Sequence, residues 1–145
     1  MRFLLPGVIL LVLSACLDEP DCIVTATNLV KISLRKINVD SANTVAFSKI
    51  TVTGTDTLFY KNKKASSLSL PVNPGTTKIT IKFYYGASID SLTLGYSLRR
   101  VIISPDCGAF VYFENLGVLS TSFTSIKVNN SQLSTSATNN LEIKL

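Results

Sequence analysis

Alternation of apolar and polar residues with a period of two recurs along most of this chain, which is the signature of half-buried β-strands. Val30, Ile32 and Leu34 fall on one face, with Lys31, Ser33 and Arg35 on the other. A turn-rich stretch, Asn38 to Asn43, separates this from a second strand over Val45 to Thr53. Gly54-Thr55-Asp56 leads into a third over Thr57 to Lys61. Leu68, Leu70 and Val72 alternate with serines and Pro71. Proline cannot donate to a ladder, so this pattern predicts an edge strand. Asn73-Pro74-Gly75 is a turn.

The second half repeats the rhythm. Ile79, Ile81, Phe83 and Tyr85 are predicted to face inward, and Lys78, Thr80, Lys82 and Tyr84 outward. Leu92, Leu94, Tyr96 and Leu98 form another inward row. Arg99-Arg100 is then followed by the unbroken apolar run Val101 to Ile103, and a bulge or a switch between sheets is expected there. Pro105-Asp106-Cys107-Gly108 reads as a turn, and strands follow over Phe110 to Glu114, Phe123 to Val128 and Leu141 to Leu145. No stretch sustains helical periodicity. Eight or nine short strands predict an all-β antiparallel β-sandwich, with a small β-barrel as the alternative.

Composition agrees with this and narrows function. The chain has 145 residues, 46% of them apolar, and contains no His and no Trp. Its net charge is +5, but the basic residues are scattered apart from Lys61-Asn62-Lys63-Lys64 and Arg99-Arg100. A nucleic-acid binder concentrates such charge on one face beside a recognisable motif. Neither is visible, so no nucleic-acid partner is expected.

The N-terminus changes the picture most. Arg2 precedes an apolar run, Phe3 to Leu13, which is too short to be a stable bilayer span and reads as the core of a signal peptide. Leu13-Ser14-Ala15-Cys16 closes it and resembles the lipobox of bacterial lipoproteins. That resemblance implies removal of residues 1–15 and attachment of lipid to Cys16, which would become the membrane anchor. Residues 16–22, including Leu17-Asp18-Glu19-Pro20-Asp21, form a solvated acidic tether, and 23–145 a single β-sandwich domain. Leu17 in place of Asp after the cysteine resembles an outer-membrane sorting signal. Asp18-Glu19 is similar to the export tag of surface lipoproteins of Bacteroidota. The expected location is the outer membrane, with the domain facing either the periplasm or the cell surface.

With Cys16 lipidated, Cys22 and Cys107 remain. Two cysteines in an oxidising compartment point to one disulfide. Two thiols without His make a poor zinc site, and there is no Cys-x-x-Cys redox motif.

Catalytic chemistry has little to work with. Absence of His removes the common triads and most metal sites. The acids beyond the tether are Asp40, Asp56, Asp90, Asp106, Glu114 and Glu142, most of them in predicted turns, where Asp bonds locally. No motif frames a glycosidase pair, a Ser–Lys dyad or a calcium loop. The expectation is therefore a non-enzyme without cofactor or metal. Outward Tyr84 beside Lys82 is a candidate ligand contact, although single exposed aromatics are ordinary.

Asp40-Ser41-Ala42, Asp56-Thr57-Leu58 and Asp90-Ser91-Leu92 each read acid, hydroxyl, apolar. They resemble the acceptor sites of the general O-glycosylation system of Bacteroidota, which would make Ser41, Thr57 and Ser91 acceptors. The same dipeptides are also common where a turn meets a strand.

Taken together, the lipobox, Asp21-Cys22, Leu29-Val30-Lys31-Ile32, Leu92-Thr93-Leu94-Gly95-Tyr96, Ile103 to Gly108 and Leu141-Glu142-Ile143 resemble a family of uncharacterised Bacteroidota lipoproteins. The resemblance implies an envelope location and a β-sandwich, and it carries over no catalytic residue. The expected role is a non-catalytic binding or structural accessory module with an envelope protein or glycan as partner. The alternative is a carbohydrate-binding or glycan-hydrolysing surface lipoprotein.

Overall fold

The computed structural model describes residues 22, 24–54 and 58–145. The signal peptide, Cys16, tether residues 17–21 and Thr57 lie outside them. Nine strands follow in order: β1 (Leu29–Arg35), β2 (Val45–Val52), β3 (Leu58–Ala65), β4 (Ser67–Pro71), β5 (Lys78–Tyr85), β6 (Ser88–Ser104), β7 (Gly108–Thr121), β8 (Ser125–Val128) and β9 (Leu141–Lys144). They form a four-stranded sheet, β4-β1-β9-β8, and a five-stranded sheet, β3-β2-β5-β6-β7. The two sheets pack face to face as a β-sandwich, and neither closes into a barrel.

Alternation along each strand builds the core between the sheets. Val30, Ile32 and Leu34 of β1 meet Phe47, Ile50, Ile79, Ile81, Phe83, Leu92 and Leu94 of the opposing sheet in one buried cluster. Phe83 anchors it, with ring contacts to Phe47 at 6.1 Å and edge-on to Phe123 at 5.2 Å. Such aromatic pairs add directional packing to the area they bury. The predicted edge strand is β4, which pairs only with β1 and ends on Pro71.

Two features depart from the reading of the sequence. The pairing of β1 with β9 is parallel, joining the first and last strands at the centre of the smaller sheet. All other strand pairs are antiparallel. Second, neither a bulge nor a sheet switch separates Arg100 from Val101. Leu98, Arg99, Arg100 and Val101 pair in unbroken register with Phe113, Tyr112, Val111 and Phe110. The register shifts of this hairpin lie elsewhere, at Thr93/Leu94, Gly95/Ser97 and Ile102/Ser104. The change from alternating to continuous apolar sequence marks the place where one long strand leaves the sandwich.

Beyond the Leu98–Phe113 pair, β6 and β7 continue as a two-stranded arm. Val111 is the last arm residue packed on the core, whereas Ile102 is 80% exposed. Cys107 sits in the turn at the tip, followed by Gly108 at φ 71°. That left-handed backbone favours glycine, which explains the Cys-Gly pair at this turn. Cys107 is bonded to Cys22, with Cα atoms 5.6 Å apart and a sequence separation of 85. Cross-linking a loop of that size removes chain entropy worth roughly 4–5 kcal/mol from the unfolded state.

The loop between β8 and β9 folds inward around Asn140, the one fully buried polar residue among the described residues. Its Oδ1 accepts from the Lys31 backbone N–H at 2.9 Å. Its Nδ2 donates to the carbonyls of Asn130 and Gln132 at 3.2 and 2.9 Å. Lys31 Nζ closes the loop by donating to the carbonyls of Thr135 and Ala137. Both polar atoms of the Asn140 amide are thereby satisfied, through three hydrogen bonds, as burial demands.

Candidate functional site

Outward residues of β2, β5 and β6 share the solvent face of the five-stranded sheet. Register sets Lys49 opposite Tyr84 and Thr51 opposite Lys82. On the other side of β5, Ile89 faces Tyr84 and Ser91 faces Lys82. Tyr84 is half-buried, because Lys49 lies across its ring with Nζ 4.3 Å from the centroid. A lysine over a tyrosine face is held by the ring quadrupole, more weakly than over Trp. Lys82 stays exposed. Tyr84 and Lys82 line one open groove of about 290 Å³ with Thr51, Thr53, Gly54 and Thr80.

The threonines make the groove floor stiff. Thr53 Oγ1 donates to the Thr80 carbonyl at 2.6 Å and accepts from the Thr80 N–H at 3.2 Å. Thr80 and Thr93 hydroxyls are 3.0 Å apart. Lys61 of β3 stands opposite Lys49 on the far side of β2, so Lys49, Lys61 and Lys82 share the sheet face that carries Tyr84. The result is a cationic, partly aromatic surface, suited to anionic groups. Tyr84 and Lys82, singled out from the sequence, do come together. Lys49 escaped notice because its contact depends on β2 pairing with β5 across 25 intervening residues, and no local pattern records that.

Disposition of the acids bears on catalysis. Asp90 accepts from the Tyr85 hydroxyl and from Ser122 Oγ, the latter at 2.6 Å. Partial burial, with the neighbouring Asp90, pushes the Tyr85 phenol well above its usual value. Glu114 accepts from Arg99 Nε at 2.8 Å and lies 2.7 Å from Nη2. That bond holds Glu114 below the usual carboxylate range and Arg99 above its own. Arg99 also lies 5.0 Å over the Tyr112 ring. Arg35 stands 3.7 Å from Glu142 and 4.0 Å from Asp40. Four of the five described acids are thus engaged in local contacts. No cluster of three or more metal-ligating residues occurs among the described residues.

The acid-hydroxyl-apolar triplets fall in different settings. Ser41 is half-buried in the β1–β2 connection, where its N–H donates to the Val39 carbonyl at 2.7 Å and its carbonyl accepts from Lys36. Ser91 is half-buried within β6, and its N–H donates to Ser122 Oγ at 2.8 Å. Thr57 is outside the described residues. The structure gives Asp90 a packing role of its own, as the link between β5, β6 and the connection after β7.

Tyr84 and the disulfide mark opposite ends of one strand. Ile89, which faces Tyr84, stands near the start of β6, and Ser104, which faces Gly108, ends it. Fifteen residues of strand can separate them by up to about 50 Å.

No curated protein and no solved structure matches the chain. A family profile does, over residues 44–145, from just before β2 to the C-terminus. This span includes Tyr84, Lys82 and Cys107 but stops short of Cys22 and β1. The chain belongs to DUF6452, a family of unknown function.

Proposed function

We propose that this protein is a lipid-anchored component of the bacterial outer membrane, acting as a non-catalytic binding or accessory module. Lipid on Cys16 holds one end, and the Tyr84 surface is presented at the other. The observation that carries this reading is the polarity of β6: its far end is clamped to Cys22, a few residues from the anchoring cysteine, while Tyr84, Lys49 and Lys82 cluster beside its start. A tether fixed at a covalent point turns the opposite end away from the membrane, where a partner can reach it. Lysines around a tyrosine suit an envelope glycan or a protein surface carrying negative charge. Glycan hydrolysis is the weaker reading, because Asp90, Glu114 and Glu142 are occupied by Tyr85, Ser122, Arg99 and Arg35.

A photo-reactive side chain in place of Lys82, in cells making the full chain, tests the binding face. The expected result is a discrete crosslinked species that weakens when Tyr84→Ala is added. A photo-reactive side chain in place of Val128, on the other sheet, is the control. Equal or absent crosslinking at the two positions would overturn the assignment of this face, and the mass of the adduct tells protein from glycan.

A further inference from the structure

The arm carries apolar residues that no core explains. Ile102 is 80% exposed and Ile103 43% exposed, the former the most exposed large apolar side chain among the described residues. Ile102 faces Ala109 across the hairpin, and Val101 faces Phe110. Arg100, two positions before Ile102 and therefore on the same face, is exposed and has no carboxylate partner among the described residues. Arg99, on the other face, is by contrast held by Glu114 and Tyr112. One face of the arm therefore combines an exposed isoleucine, a small alanine and an arginine without a carboxylate partner among the described residues, and meets the core only at Val111, opposite Arg100.

We propose that this face of the β6–β7 arm rests on the phospholipid bilayer that anchors the chain, with Ile102 in the headgroup–acyl boundary and Arg100 against lipid phosphate. The inference rests on the Cys16 anchor reading and goes beyond it by naming a second membrane contact. Chain length is the argument for this occupant. Cys22 is six positions after Cys16, a span of at most about 20 Å even fully extended. The disulfide then holds Cys107 beside Cys22, and Ala109, which faces Ile102, is two positions further on. A bilayer holding Cys16 is thus within a short reach of the exposed isoleucine. Asp106 occupies the apex of the turn, so an end-on entry would drag a carboxylate into lipid; the arm instead meets the surface obliquely, with its Ile102 face toward the bilayer and the body of the sandwich tilted away from it. Amphipathic contact of this kind adds to a lipid anchor and fixes the orientation of what it carries.

The chain contains no Trp, so Ile102→Trp creates a single reporter. At 80% exposure the new ring meets no core, and native folding is checked by the absence of free thiol at Cys22 and Cys107. The full lipidated chain carrying this change is placed in phosphatidylethanolamine–phosphatidylglycerol vesicles with and without brominated acyl chains. Ile89→Trp, an exposed position at the other end of β6, is the control. The expected result is emission shifted to shorter wavelength and mostly lost to brominated lipid for Trp at 102, and neither change for Trp at 89. Unshifted, unquenched emission at 102 in a chain whose N-terminus carries acyl groups by mass would overturn the arm contact and leave the anchor standing. A chain that carries no acyl groups would overturn both. Quenching equal at 102 and 89 would overturn the orientation. A shift at 102 only in vesicles containing other envelope proteins, without quenching, would assign the arm to a protein partner and overturn the proposal.

Discussion

β6 is two strands in one. From Leu92 to Tyr96 every second side chain is buried against the four-stranded sheet, and the residues between face solvent. From Arg99 to Ile102 the same backbone, still paired with β7 in regular register, buries nothing completely. The difference is supplied by the neighbour: the opposing sheet covers the first half and ends before the second. Hydrophobic residues in the first half are accounted for by folding. In the second half Ile102 and Ile103 stay exposed, and the disulfide to Cys22 brings the N-terminal segment of the chain to the same place.

The comparison is broken most severely by cutting the link that holds the arm. Removing the disulfide with Cys107→Ser is expected to cost roughly 4–5 kcal/mol, read as a lower urea midpoint. A loss much below this would show that the arm and the N-terminal segment hold together without the bond. Next in size, Phe83→Ala is expected to cost about 3–5 kcal/mol, because it empties the centre of the cluster between Phe47 and Phe123. Ile102→Ser should stay within about 0.5 kcal/mol of the parent, having no core contact to lose. Equal costs at the two positions would contradict the division of the molecule into body and arm. Asn140→Ala is expected to fall between them, at about 2–3 kcal/mol, since it strands the Lys31 N–H and the Asn130 and Gln132 carbonyls in a buried site. Chemical denaturation of the oxidised protein measures all three.

Much of this was legible along the chain, and what was not has a common cause. Period-two alternation located β1, β2, β4, β5 and the buried half of β6, because each buries one face only. Pro71 marked an edge, and cysteine arithmetic paired Cys22 with Cys107. The parallel pairing of β1 with β9 left no trace, since it joins residues more than a hundred positions apart. An unbroken apolar run such as Val101 to Ile103 usually means burial on both faces, so the sequence predicts a bulge or a switch between sheets there; in the fold it marks a strand exposed on leaving the core. At the Tyr84 surface, alternation correctly placed Tyr84 and Lys82 on one face, while Lys49 and the Asp90–Tyr85–Ser122 links came only from cross-strand pairing. Asn140 lies in a polar loop, and nothing near it in sequence hints at its burial.

Anchoring at Cys16 is the claim on which the polarity of the molecule depends, and the mass of the mature N-terminal peptide tests it most directly. The account predicts a chain that begins at Cys16 and carries a diacylglyceryl group on the thiol and an acyl group on the amine. A mature chain beginning elsewhere, or beginning at an unmodified Cys16, would contradict it.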